Sequence, residues 1–302
     1  MFKVDDSVLE KVTEIFGRDK PGADEDIATI EKWINEQPHF LETLDRRSIL
    51  NFLILNKFSV EKAKQKIDNY YTTRTKLEEI YKEMDPKYPH MKEVNEILYY
   101  VPHPQLLDYH RVFFMKIRNA DLVNKLDVHN LLRYIVSIHE MRMREDVMYK
   151  DISIVDFQNV PLTFFFTLTP TFMIKALQMI YQQIYSFRLK AFYIVNFPSF
   201  GEMLVRIVQK VVKPKIFERM HIFADTSLLR EEFSEEFLPE DFGGKGISLE
   251  KLQEMLNDEY DKHSDFFQYL KKFKVDESRR PEKLENDDVL GFYGNFKQLD
   301  VD

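Results

Sequence analysis

RLKAFYIVNFPSFGEMLVRIVQKVVKPKIFERMHIF, residues 188–223, decides the fold. It holds an apolar run of strand length, Lys190 to Val195, and a break at Phe197-Pro198-Ser199-Phe200-Gly201. A helical period follows, and a second apolar run, Glu218 to Phe223, closes it. Strand, helix and strand in succession imply a parallel crossover. The same grammar recurs upstream, where Arg111 to Ile117 and Asp151 to Phe157 read as strands. Helical patterns at about 129–146, 170–185 and 200–213 separate the four strands. The expected class is α/β, a mainly parallel sheet flanked by helices.

Before residue 85 the chain reads as helices. Ile27, Ile30, Trp33 and Ile34 recur at helical spacing up to the stop Gln37-Pro38, Asp45 is placed to cap a second helix, and Ser59 a third running towards Tyr81. Asp85-Pro86-Lys87-Tyr88-Pro89 reads as a linker. Leu249 to Phe273 is predicted as one further helix, followed by a polar surface tail. The division expected is a helical module over 1–88, a main domain over 89–248, and a helix with tail over 249–302.

Composition narrows the function. Forty-three Lys and Arg against 51 Asp and Glu give a net charge of -8, unlike the basic balance of a nucleic-acid binder. The chain has no cysteine, which removes disulfides, thiolate zinc sites and Cys nucleophiles and fits the cytosol. The acidic start MFKVDDSVLEKVTEIFG lacks the apolar core of a signal peptide, and Val160 to Ile174, broken by two prolines, is too short to span a bilayer. The 26 Phe and 15 Tyr beside one Trp suit either a core or a pocket for an extended apolar ligand.

No reaction centre assembles. The chain lacks a G-x-G-x-x-G or Walker loop, and Gly243-Gly244-Lys245-Gly246 reads as a turn. Ser199 lacks the first glycine of a nucleophile elbow. His139-Glu140 begins like a zinc helix, but Met143 stands where the second histidine belongs. His103, His110 and His221 read as ordinary histidines, and Asp156 as a carboxylate bonding backbone. The expectation is a non-enzyme without cofactor or metal.

Two stretches carry a family resemblance: EKWINEQPHF (31–40) with ILNFLILNKFSVEKAKQKIDNYYTTR (49–74), and residues 188–223 ending in LPEDFGG (238–244). With DISIVDFQNV (151–160) between them, the ordered set resembles the CRAL-TRIO, or Sec14-like, lipid-transfer family. It looks closest to the tocopherol-transfer and retinaldehyde-binding branch, particularly its insect members. The resemblance implies a three-helix N-terminal module, then a lipid-binding domain whose apolar pocket is closed by a mobile gate helix. It also implies binding and exchange of a hydrophobic molecule without chemistry.

Strand alternation and helix facing nominate the pocket lining: Phe113 and Met115, Ile152 and Ile154, Phe192 and Ile194 from the strands. Phe164, Phe165 and Phe166, then Ile174, Leu177, Ile180 and Tyr181, come from the following helix, and Leu204, Val208 and Val211 from the gate. Arg206, Gln209, Lys210 and Lys213 form one polar stripe on that gate. Between Arg188 and Arg219, seven basic residues (Arg188, Lys190, Arg206, Lys210, Lys213, Lys215, Arg219) face two acids, a local +5 suited to anionic headgroups. Arg188, Lys190, Lys215 and Arg219 match the basic cleft of the family's phosphoinositide-responsive branch. Asn51, Ile54 and Asn56 stand where that branch has arginines, leaving Lys57 alone.

The expected function is therefore a cytoplasmic, monomeric carrier of a tocopherol, retinoid, carotenoid or similar lipid, in transient contact with anionic membranes. A phosphoinositide-sensing adaptor is the alternative.

Overall fold

Five strands hydrogen-bond in chain order: β1 (Leu98–Pro102), β2 (His110–Ile117), β3 (Lys150–Asp156), β4 (Leu189–Val195) and β5 (Met220–Ile222). In this computed structural model the described residues are 1–161, 164, 184–197, 205 and 214–282, with Glu79 and Ile216 described only as backbone. The β2–β5 pairs are parallel, and β1 runs antiparallel to β2. The mixed α/β class and mainly parallel sheet are as the sequence predicts; the short edge strand β1 was not anticipated.

Six helices precede the sheet: α1 (Asp6–Glu14), α2 (Lys20–Asn35), α3 (Arg46–Leu55), α4 (Val60–Lys76), α5 (Glu78–Tyr81) and α6 (Pro89–Ile97). Asp19 and Asp45 cap α2 and α3 by accepting from Gly22 N and Ser48 N, so each satisfies a donor that the first helical turn leaves unpaired. Ser59 precedes α4 without a side-chain cap, and α4 stops before Tyr81 because Leu77 leaves the helical region at φ -105, ψ 49. The module thus holds the three expected helices together with α1, which buries Leu9 and Val12.

The crossover from β2 to β3 carries α7 (Val128–Glu145), capped by Asp127. Short helices α8 (Pro214–Phe217) and α9 (Leu229–Glu232) flank β5. Beyond residue 248 the single helix predicted is two, α10 (Leu249–Lys262) and α11 (Ser264–Leu270). His263 breaks them at φ -98, ψ 11, its ring engaged by the Glu259 carbonyl and the Glu145 carboxylate. Among the described residues, no helix is long and apolar enough to cross a membrane.

Buried polar clusters join these parts. Asn51 of α3 donates to the carbonyls of Met143 and Asp146 and accepts from Met148 N, so the helical module is stapled to the turn between α7 and β3. In that turn Asp146 receives Arg111 of β2 at 2.6 Å and Arg142 of α7 at 2.8 Å, all three fully buried. Arg142 also pairs with Asp151. A second hub is Glu140, which accepts from Arg74 at 2.6 Å, Tyr70 at 2.8 Å and Tyr185. Arg74 reaches on to the Leu270 carbonyl, bringing α4, α7, the approach to β4 and α11 to one carboxylate.

Candidate ligand-binding site

Register fixes which strand residues share a face, because paired positions project to the same side of a sheet. Phe113 pairs with Ser153 and Ser153 with Phe192; Met115 pairs with Val155 and Val155 with Ile194. β5 adds Met220 beside Phe192 and Ile222 beside Ile194. Four of the nominated residues, Phe113, Met115, Phe192 and Ile194, therefore lie on one face. Ile152 and Ile154 do not. They share the opposite face with Val112, Phe114, Ala191 and Tyr193.

The two faces are covered differently. The Ile154 face is packed shut across β2, β3 and β4, with only His221 of the edge strand β5 exposed on it: Phe114 meets Phe242 with ring centroids 5.3 Å apart, Tyr193 meets Phe233 at 5.3 Å, and Ile154 is 0% exposed. The segment LPEDFGG supplies the Phe242 part of that cover. Gly243 takes φ +80, and a side chain at Gly244 would stand 2.0 Å from the Leu238 carbonyl, so this tight turn requires both glycines. Lys116 anchors the same corner, reaching Asp156 at 2.8 Å and the Asp241 carbonyl at 3.1 Å. Asp156 also bonds Gln158 N and Asn196, the backbone-fixing role expected of it.

On the other face α7 covers only part of the sheet. Its Arg142 lies over Phe113 at 5.0 Å, and the ring of its His139 lies tilted against Phe113 at 5.7 Å and Phe187 at 4.4 Å. Burial pushes the His139 imidazole well below the ordinary histidine range, and nearby Arg142 adds to that, so His139 is neutral here. Further along, Met115, Phe192 and Met220 are half-buried and Ile222 is 38% exposed. An apolar strip thus runs across β2, β3, β4 and β5. Val155 and Met220 belong to it although sequence reasoning passed over them.

Phe164 is buried. Phe165, Phe166, Ile174, Leu177, Ile180, Tyr181, Leu204, Val208, Val211, Arg206, Lys210 and Lys213 lie outside the described residues. Of the other cations, Lys190 and Lys215 are exposed, while Arg219 donates to the Leu189 carbonyl. Arg188 is half-buried: it donates to the Ile54 carbonyl at 3.0 Å, and burial pushes its guanidinium down to about 10. Asn51 and Asn56 are spent on backbone, Asn56 on the Phe52 carbonyl.

Among the described residues, one group has the composition of a metal site: Glu145, Glu259 and His263, with ligand atoms within 4.8 Å of one another. Its charges are already engaged, His263 with Glu145 at 3.0 Å and Glu259 with the Met1 ammonium at 2.8 Å. A separate cleft of about 370 Å³ between α6 and α10 has a mixed polar rim that includes Lys92, Glu96 and Asp261, and no nominated residue lines it.

Residues 98–244 match the family profile described as the CRAL/TRIO domain, and residues 19–91 match one described as a Pinta-like UBA domain. Residues 98–244 are a CRAL/TRIO domain. That domain takes in the whole sheet and the LPEDFGG cover. The chain is 25% identical over 219 residues to proteins called alpha-tocopherol transfer protein-like from Homo sapiens and Mus musculus, covering 71% of its own length. It spans 63% of those relatives. The fold is shared with the crystal structure of Sfh5, at a TM-score of 0.51 and 18% identity over 68% of this chain and 74% of that one.

Proposed function

We propose that this CRAL/TRIO protein is a non-enzymatic carrier that holds one apolar, lipid-like molecule against the Met115 face of its sheet and exchanges it at membranes. The observation that carries this is the asymmetry of the two faces. One is sealed by aromatic side chains, while the other presents Met115, Phe192, Met220 and Ile222 partly uncovered.

On this reading Phe165, Phe166, Ile174, Leu177, Ile180 and Tyr181 wall the guest, and Leu204, Val208 and Val211 close it. Arg206, Lys210, Lys213 and Lys215, with Lys190, meet anionic headgroups, which reward each nearby cation by about 1 kcal/mol. A tocopherol, retinoid or carotenoid suits an aromatic and Met-containing surface, and the relatives' name points the same way. Contact with the membrane is then peripheral and transient.

Organic extraction and mass spectrometry of the purified chain test the reading. About one apolar lipid per chain is expected, and a chain free of lipid after expression in lipid-replete cells contradicts it. The double variant Leu204→Asp/Val208→Asp should slow transfer to vesicles about tenfold or more while shifting Tm by only a few degrees. Unchanged transfer removes those two residues from the exit.

A further inference from the structure

Arg188 has an unusual environment for a cation in the described part of the chain. No carboxylate bonds it, and its Nε is buried without a partner. The Phe16 ring lies 5.0 Å from its guanidinium carbon and the Tyr149 ring 5.4 Å. Those rings stand 5.9 Å apart at 72°, so they form a corner on one side of the guanidinium rather than a sandwich around it. The small hollow beside it, bounded by Leu55, Tyr149, Lys150, Phe187 and Asp151, leaves no room for a water molecule, and Asp151 is paired with Arg142 at 2.7 Å rather than with Arg188. Lys150 lies over the Tyr149 ring at 4.7 Å, and His110, 5.3 Å from that ring, has a buried Nε2 without a partner. Positive charge and unspent polar atoms therefore converge on a place that nothing can enter.

Phe16 belongs to a separate element. It follows α1 and precedes Gly17, whose φ of +70 makes the turn into α2 with open space around it. Beyond Arg188 its ring neighbours are Phe58 and Tyr149. We propose that Phe16 is a plug: while its ring sits on Arg188 the guanidinium is closed to phosphates, and a shift of α1 opens it to a phosphate-bearing polyanion, membrane-bound or soluble. Such a ligand would supply the counter-charge that a desolvated cation lacks, and its affinity is reduced by the fraction of chains that stay plugged. The inference rests on the reading that the cations around Arg188 face anionic headgroups, and adds a control over that site.

The test compares the full chain with Phe16→Ala, Phe16→Leu and Phe16→Ala/Arg188→Gln. Soluble inositol hexakisphosphate is titrated by calorimetry. Phosphatidylcholine vesicles with and without phosphatidylinositol bisphosphate are tested by co-sedimentation. Phe16→Ala is expected to bind about tenfold more tightly. Phe16→Leu, which keeps the bulk, should stay near the unmodified chain, and Arg188→Gln should cancel the gain. A gain with the soluble phosphate alone, or with vesicles alone, identifies the source and supports the plug. Equal affinity for Phe16→Ala, or a gain that survives Arg188→Gln, overturns it. Hydrogen exchange on the unmodified chain does not depend on the variants folding: residues 6–16 should exchange faster with saturating inositol hexakisphosphate, and unchanged exchange overturns the plug. Should no protein bind either probe, the plug and the headgroup reading fall together, while extraction of an apolar guest still tests the carrier.

Discussion

Asp146→Asn is expected to lower folding stability by about 3–5 kcal/mol, the cost of leaving buried charge uncompensated. Asp146 is the shared partner of Arg111 and Arg142, and all three side chains are 0% exposed. Arg142 would keep the Asp151 carboxylate, but Arg111 would lose its carboxylate partner and keep only neutral acceptors, among them the carbonyls of His103 and Pro104. Breaking the exposed pair of Arg46 with Asp24 and Glu31 should cost about 1 kcal/mol or less, because water screens it. Urea unfolding of Asp146→Asn and Arg46→Ala measures both, and equal losses would show that the buried cluster is not what joins α7 to the sheet. A pH series adds a sign. Burial alone would raise the Asp146 carboxyl, but Arg111 and Arg142 outweigh it and hold it below the usual carboxylate range. Its contribution is therefore complete above the unfolded value of about 3.9 and is lost as pH falls below that through the folded value. The Asn variant should lack this acid-side decline.

Phe192→Asp is expected to reduce retained apolar ligand at least tenfold with the sheet still folded, because it puts a charge on the strip proposed to touch the guest. Ile154→Ala should do the reverse. It opens a hole on the sealed face, costing about 2–5 kcal/mol, and leaves the guest in place. Lipid extracted per folded chain, read beside the Tm of each variant, separates the two. Loss of ligand with Ile154→Ala and none with Phe192→Asp would assign the guest to the wrong face.

Both outcomes turn on a feature that sequence reading could not supply. The runs that became β2, β3 and β4 were legible because each is short, apolar and rich in Val, Ile and Phe. Which side of each strand faces a pocket depends on register, and a shift of one residue exchanges the sides. In DISIVDF the even phase, Ile152 and Ile154, looks the more apolar because Ser153 interrupts the other. That even phase fell beside Phe114 and Tyr193, whose rings meet Phe242 and Phe233, while Ser153 and Val155 fell beside Phe113, Phe192 and Ile194. β1 was missed because LYYVP follows α6 without a break and ends in proline, which argues against a strand. The charge clusters were half visible. Arg142 and Asp146 stand four apart, but Arg74 and Glu140 are 66 residues apart and meet only through the packing of α4 on α7. Asn51, noted for the charge it lacks, is a staple between the helical module and the turn that joins α7 to β3.

The most direct test is a methionine-methyl NMR titration of delipidated protein with tocopherol. Met115 and Met220 lie on the half-open face, whereas Met84 and Met91 are buried in the helical part of the chain. Shifts or broadening at Met115 and Met220, with Met84 and Met91 unmoved, are predicted. A spectrum in which the first pair stays fixed while the protein takes up the lipid contradicts the account.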